Sequence, residues 1–144
     1  MELYLKHGIE NLKFGMTEFQ CREILGIPDR EVIDSENEEI NVLEYFDLKL
    51  RLSFYLGENN RLGYLRSSNP GLSFNNQILI NSKIQFVNDV IFRDHELTWE
   101  LEEYDFFYTQ FNKENWITMH IEYGVITEVE LGVPLVNEQH VWPD

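Results

Sequence analysis

The chain has 144 residues, with 26 Asp and Glu against 11 Lys and Arg, a formal net charge of −15 and a pI near 4.5. That balance excludes a nucleic-acid binder or a protein docked on an anionic membrane surface, since both need clustered Lys and Arg. A composition that is 43% hydrophobic and 14% aromatic is too apolar for disorder, and a single cysteine, Cys21, leaves no intramolecular disulfide framework.

In chain order, Met1–Gly8 lacks a basic stretch followed by an apolar run, and no apolar run approaches the roughly 20 residues of a membrane helix. The expectation is a cytoplasmic protein. Thr17 and Gln20 have capping-box spacing, and Cys21, Ile24 and Leu25 then fall on one helical face. Gly26 and Pro28 end that helix. Arg30–Asp34 and Val42–Asp47 read as weaker strands around a polar hairpin tip, Ser35–Glu39. Leu48, Leu50, Leu52, Phe54 and Leu56 alternate with polar neighbours, a strand signal; Gly57–Asn60 turns the chain and Arg61–Ser67 returns as the second arm.

Asn69-Pro70-Gly71 marks a boundary, after which the same order of elements is expected again. Asn81 or Ser82 is placed to cap a helix carrying Ile84, Val87, Val90 and Ile91. Strands are expected at Leu97–Glu102 and Tyr104–Phe111, then a hairpin of Trp116–Tyr123 and Val125–Leu131 around Gly124. Corresponding elements are offset by 64 to 67 residues, which points to duplication. The expected architecture is α+β: two tandem helix-plus-four-strand repeats, about 9–68 and 72–132, forming one antiparallel sheet with helices packed on one face. A short C-terminal tail, 133–144, completes a single domain. Whether Trp142 docks or hangs free is not decided by sequence.

The run Leu12-Lys13-Phe14-Gly15-Met16-Thr17, then Ile24-Leu25-Gly26-Ile27-Pro28-Asp29, then an aromatic strand and an alternating hairpin, resembles the tandem-repeat fold of the beta-lactamase inhibitor protein. Small outer-membrane assembly lipoproteins and many bacterial toxin-immunity proteins have similar units. The second copy departs from this pattern, with Ile80-Asn81-Ser82 and Phe92-Arg93-Asp94 in place of the opening and closing motifs. Without a secretory signal or lipobox cysteine, the resemblance implies a cytoplasmic immunity protein of contact-dependent growth inhibition or a similar system. Its expected partner is a cognate toxin domain, plausibly a basic nuclease, blocked by stoichiometric occlusion.

The charge is uneven. Residues 1–93 carry 14 acids and 10 bases, whereas 94–144 carry 12 acids and one base, Lys113. Alternation places Leu97, Trp99, Leu101, Ile117, Met119, Ile121, Val125, Val129 and Leu131 on one side. Ile126 is expected on the other, with Glu128 and Glu130. Phe107 and Phe111 are assigned to the core. The expected partner-binding face comprises Glu100, Glu102, Tyr104, Tyr108, Trp116, His120, Glu122, Glu128 and Glu130, in which aromatics supply rigid contact area and carboxylates steer a basic partner. The same residues serve equally as a pocket for a small molecule or peptide, or as sheet-stabilising pairs on a soluble surface.

Catalytic signals are absent. His7, His95, His120 and His140 form no HxxxH or HExxH frame, and His120 with Glu122 supplies only two ligands, too few for a metal site. Cys21 lies on the apolar helix face as an inert thiol. Gly57–Asn60 is hairpin chemistry, not a phosphate loop. The expectation is a non-enzyme with no metal and no cofactor, of undetermined oligomeric state.

Overall fold

Helix α1 (Glu18–Leu25) forms where the sequence places its cap. In this computed structural model, which describes residues 1–33, 36 and 39–143, Thr17 Oγ1 accepts the Gln20 N–H at 3.2 Å and Gln20 Oε1 accepts the Thr17 N–H at 2.9 Å. Gly26 ends the helix at φ 85°, which a β-carbon disfavours. Cys21 is in the core and Leu25 packs against it, but Ile24 is 43% exposed, so the apolar stripe is narrower than its spacing predicts.

Three two-residue strands precede α1 and form a small sheet of their own: β1 (Leu3–Tyr4), β2 (Gly8–Ile9) and β3 (Leu12–Lys13). After α1 come β4 (Arg30–Ile33), β5 (Ile40–Tyr45), β6 (Leu50–Tyr55) and β7 (Arg61–Ser67). A short hairpin, β8 (Ser73–Phe74) and β9 (Gln77–Ile78), leads to α2 (Ile84–Phe86), which runs into a π-helical turn over Val87–Ile91. Then follow β10 (Glu100–Glu103), β11 (Tyr108–Asn112), β12 (Ile117–Glu122) and β13 (Val125–Gly132), and the hairpin of β14 (Leu135–Val136) and β15 (Gln139–His140). The longer strands make one antiparallel sheet of eight, in the order β10-β11-β12-β13-β7-β6-β5-β4. The expected tip at 35–39 lies largely outside the described residues.

The expected α+β assembly of two helix-plus-four-strand repeats, with helices packed on one face, is therefore corrected. The chain is mostly β, 45% strand against 16% helical, with only two short helices beside one large sheet. The second helical segment shows why. Ile84, Val87, Val90 and Ile91 are all β-branched and lose side-chain freedom in a helix. No side chain caps its start; Ser82 Oγ donates instead to the Ile78 carbonyl at 2.6 Å. What covers the sheet is mostly short strands and loops, through Leu3, Ile9, Leu12, Phe14, Leu72 and Leu79, with Val87, Ile91 and Phe92 from the shortened helix.

Register fixes the two faces of the large sheet. Leu43, Leu52, Leu65, Leu131 and Ile117 pair in one continuous row across five strands, each at most 1% exposed. Truncating any of them to Ala would cost about 2–5 kcal/mol. The neighbouring row, one residue over, faces the other way: Arg30, Glu44, Arg51, Arg66, Glu130, Thr118, Phe111 and Glu100, one residue from each strand. This face is called the open face. Two glycines on it admit aromatic rings. A β-carbon on Gly63 would lie 2.1 Å from the Tyr55 ring, and one on Gly132 would lie 2.5 Å from that of Trp116.

The C-terminal segment is docked. His140 stacks on Tyr55 with centroids 4.9 Å apart and its Nδ1 meets Glu58 Oε2 at 2.7 Å. The Arg61 guanidinium lies 4.1 Å from the centroid of the Trp142 ring, a cation–π contact.

Candidate functional site

β11 is inverted relative to its hydrophobicity. Gln110 and Asn112 face the core side and are almost fully buried, while Phe111 points to the open face beside Thr118 and Glu100. The buried amides are satisfied: Gln110 Nε2 donates to Asn88 Oδ1 at 2.8 Å, and Asn112 Nδ2 donates to the Thr98 carbonyl at 3.0 Å. Tyr108 shares the face of Gln110 and lines a cavity beside Ile84, Asn88 and Trp99. The expected assignment of this strand is thus reversed. Tyr108 leaves the candidate face, and Phe107 and Phe111, assigned to the core, join it. The cause is local: the Tyr104 N–H donates to the Phe107 carbonyl at 2.8 Å, so 104–107 is a turn and the alternation begins only at Tyr108.

A second correction concerns Ile126. The register shifts between His120 and Ile121, so Ile126 pairs with Ile121 and is buried in the core rather than facing outward with Glu128. One extra residue in β13 exchanges the faces of what precedes it.

Of the remaining expected residues, Glu100, Glu102, Tyr104, His120 and Glu130 come together around one depression, whereas Trp116 and Glu122 do not line it and Glu128 lies with Arg66 beside a neighbouring one. Tyr104 stacks on Phe107 at 4.6 Å, Phe107 stacks on His120 at 5.4 Å, and Phe111 meets Trp116 edge-on at 5.2 Å. Tyr104, Phe107, His120 and Phe111, with Glu100, Glu102, Thr109, Thr118 and Glu130, border a depression of about 560 Å³. Trp116 sits just outside its rim, held over Gly132 with its carbonyl accepting the Gly132 N–H at 2.9 Å. Glu122 is half-buried at the end of β12, opposite Val125.

Two residues that sequence reasoning left out organise the floor. Tyr64 and Arg66 of β7 reach β13: the Tyr64 hydroxyl donates to Glu130 Oε1 and the Arg66 guanidinium pairs with Glu128. His120 Nε2 contacts the other Glu130 oxygen. Burial pushes the Glu130 carboxyl up, but the bonds from His120 and Tyr64, and the charge of Arg66, outweigh it and hold the group below the usual carboxylate range. Because an ionised carboxylate only accepts, the His120 Nε2 carries the hydrogen. Burial, followed by the Glu130 charge, raises the Tyr64 phenol far above its ordinary value, so it stays a donor. Glu128 and Glu130 therefore serve an internal network. Glu100 and Glu122 make no ion pair among the described residues, and their charge is the part directed outward. The only early signal for Arg66 was its place in the alternating arm Arg61–Ser67, which does not reveal that β7 lies beside β13.

Among the described residues no group of three or more His, Cys, Asp or Glu side chains could hold a metal ion, and no helix is long and apolar enough to cross a membrane. Cys21 is buried and burial, aided by the Glu18 charge, pushes its thiol up to about 12, far from a nucleophilic thiolate.

No family model and no curated protein matches the chain. Among solved structures it is similar to an extracellular protein containing a SCP domain from Bacillus anthracis str. Ames, with 12% sequence identity and a TM-score of 0.54 over 82% of this chain. The chain spans 43% of that protein's length. Likeness at this identity concerns the fold alone.

Proposed function

We propose that the chain is a cytoplasmic immunity protein that binds a cognate bacterial toxin domain and neutralises it by stoichiometric occlusion, without turnover. The inverted strand β11 is the observation that carries this reading. Aromatic rings turned toward solvent while amides are buried is an arrangement that gains when a partner covers the rings. Phe107 and Phe111 are already partly buried, so covering what remains exposed stabilises a complex by at most about 1 kcal/mol for each ring. Glu100 and Glu102 beside them, and Glu122 at the end of β12, favour a basic partner, such as a nuclease, over nucleic acid or membrane.

The test is kinetic. The toxin domain encoded beside this gene should associate with the purified protein, and Glu100, Glu102 and Glu122 changed together to Gln should slow association and flatten its salt dependence. Absence of binding, or a rate indifferent to these charges and to salt, would refute the assignment. A second reading, a small-molecule or peptide site, draws on the depression of about 560 Å³ between Tyr104 and Phe111. It predicts a ligand-dependent rise in melting temperature with metabolites, which a protein-only binder does not show.

A further inference from the structure

A cavity of about 670 Å³ lies at the other end of the strands from Tyr104 and Phe107, beside the β11–β12 turn. Its wall is the C-terminal segment: Pro134, Leu135, Val141 and Trp142. That wall is built rather than loose. The Val141 N–H donates to the Pro134 carbonyl at 2.9 Å, Leu135 pairs with His140, and His140 is itself clamped between Tyr55 and Glu58. Trp142 is held in place by Arg61 and by edge-on contacts with His140 and Tyr55.

The polar lining of the same cavity is Lys6, His7, Lys113 and Glu114, two ammonium groups against one carboxylate. Lys113 is the only base after residue 93, and it makes no ion pair among the described residues. Lys6 has one carboxylate in reach, that of Glu114, at 3.9 Å and 78% exposed, a loose surface pair worth little. The His7 Nδ1 donates to the Leu5 carbonyl at 2.9 Å, since a carbonyl only accepts, which leaves Nε2 available. In a chain of net charge −15, two under-used ammonium groups beside a fixed indole and aliphatic wall make a local exception to the overall field.

We propose that this cavity binds a small apolar monocarboxylate, with its carboxylate between Lys6 and Lys113 and its hydrocarbon body against Trp142 and Val141. The volume suits a compact aromatic or branched acid. A dianion such as a phosphate monoester is disfavoured, because the surrounding acidity repels its second charge while only two exposed cations oppose it. The site is separate from the open face and does not depend on the toxin-binding proposal.

The test uses the full chain and 1-naphthylacetate, followed by ¹H–¹⁵N NMR, with 1-naphthylacetamide as the neutral isostere. Expected are saturable shifts at Lys6, Val136, Val141 and the Trp142 indole N–H. The amide should bind more weakly, and K6Q/K113Q should weaken the acid by about 5–25-fold, each exposed ammonium contributing up to about fivefold. Lys6 and Lys113 are exposed, so the double variant should fold, and the acid-against-amide comparison needs no variant at all. Equal affinity for acid and amide would overturn the proposal. So would an unchanged K6Q/K113Q, shifts centred on Phe107 and Phe111, or no saturation by about 10 mM.

Discussion

Changing Glu130 to Gln tests the network at the centre of the open face. The wild-type carboxylate is 22% exposed and accepts from Tyr64 and His120, with Arg66 contributing its charge from the next strand. Gln keeps one acceptor oxygen but turns a donor toward one of two groups that also donate. Losing one hydrogen bond to a charged acceptor and stranding its donor costs about 2–3 kcal/mol. For a chain of this size that lowers the melting temperature by roughly 6–10 °C. The pH dependence is more diagnostic. Glu130's carboxyl titrates lower in the folded protein than in the unfolded chain, so its contribution is complete above the unfolded value, about 4.3. It is lost as pH falls through the depressed folded value. The stability gap between wild type and E130Q should therefore be full above about pH 5 and narrow as pH falls from the unfolded value, about 4.3, through the depressed folded value. Urea unfolding followed by tryptophan fluorescence at a series of pH values measures this directly. Equal midpoints at neutral pH, or a gap that persists unchanged into acid, would refute the assigned network.

Gly63→Ala should destabilise the fold by about 1–3 kcal/mol, because the Tyr55 ring occupies the space of the new methyl and would have to leave its stack on His140. Chemical denaturation measures the loss, and the His140 ring resonances should shift with it; a neutral variant would mean that the ring has room to move. Cys21 should react with a thiol reagent at pH 8 only as fast as the protein opens, since its thiol is buried and titrates near 12. Labelling at the rate of a free thiol would contradict that placement.

Some of this structure was legible locally. The Thr17–Gln20 box and Gly26 determine where α1 begins and ends, because capping bonds link residues only a few positions apart. The alternation of Leu50 and Leu52 is enough to specify a strand, since one buried face imposes a period of two. Illegible features depend on partners distant in sequence. Gln110 turns inward because Asn88 waits there to pair with it, and that partner is 22 residues away. Arg66 and Tyr64 join the candidate site across more than 60 residues, once β7 pairs with β13. Repetition of element order suggested a second full helix, but order carries no information about whether Ile84–Ile91 can bear helical crowding without a cap.

Sequence by itself determined the excess of acids, their concentration after residue 93, the first helix and the hairpin periodicities, because each is a property of composition or of neighbouring residues. Tertiary structure decided which acids remain outward and which are consumed. Glu128 and Glu130 are engaged by Arg66, Tyr64 and His120, whereas Glu100 and Glu122 are left to the surface. It also decided that Phe107 and Phe111 face outward and that two lysines meet an apolar wall beside Trp142. The physical reason is the same in each case: a side chain's charge belongs to the chain, but its screening and its partners belong to the register of strands that the chain brings together.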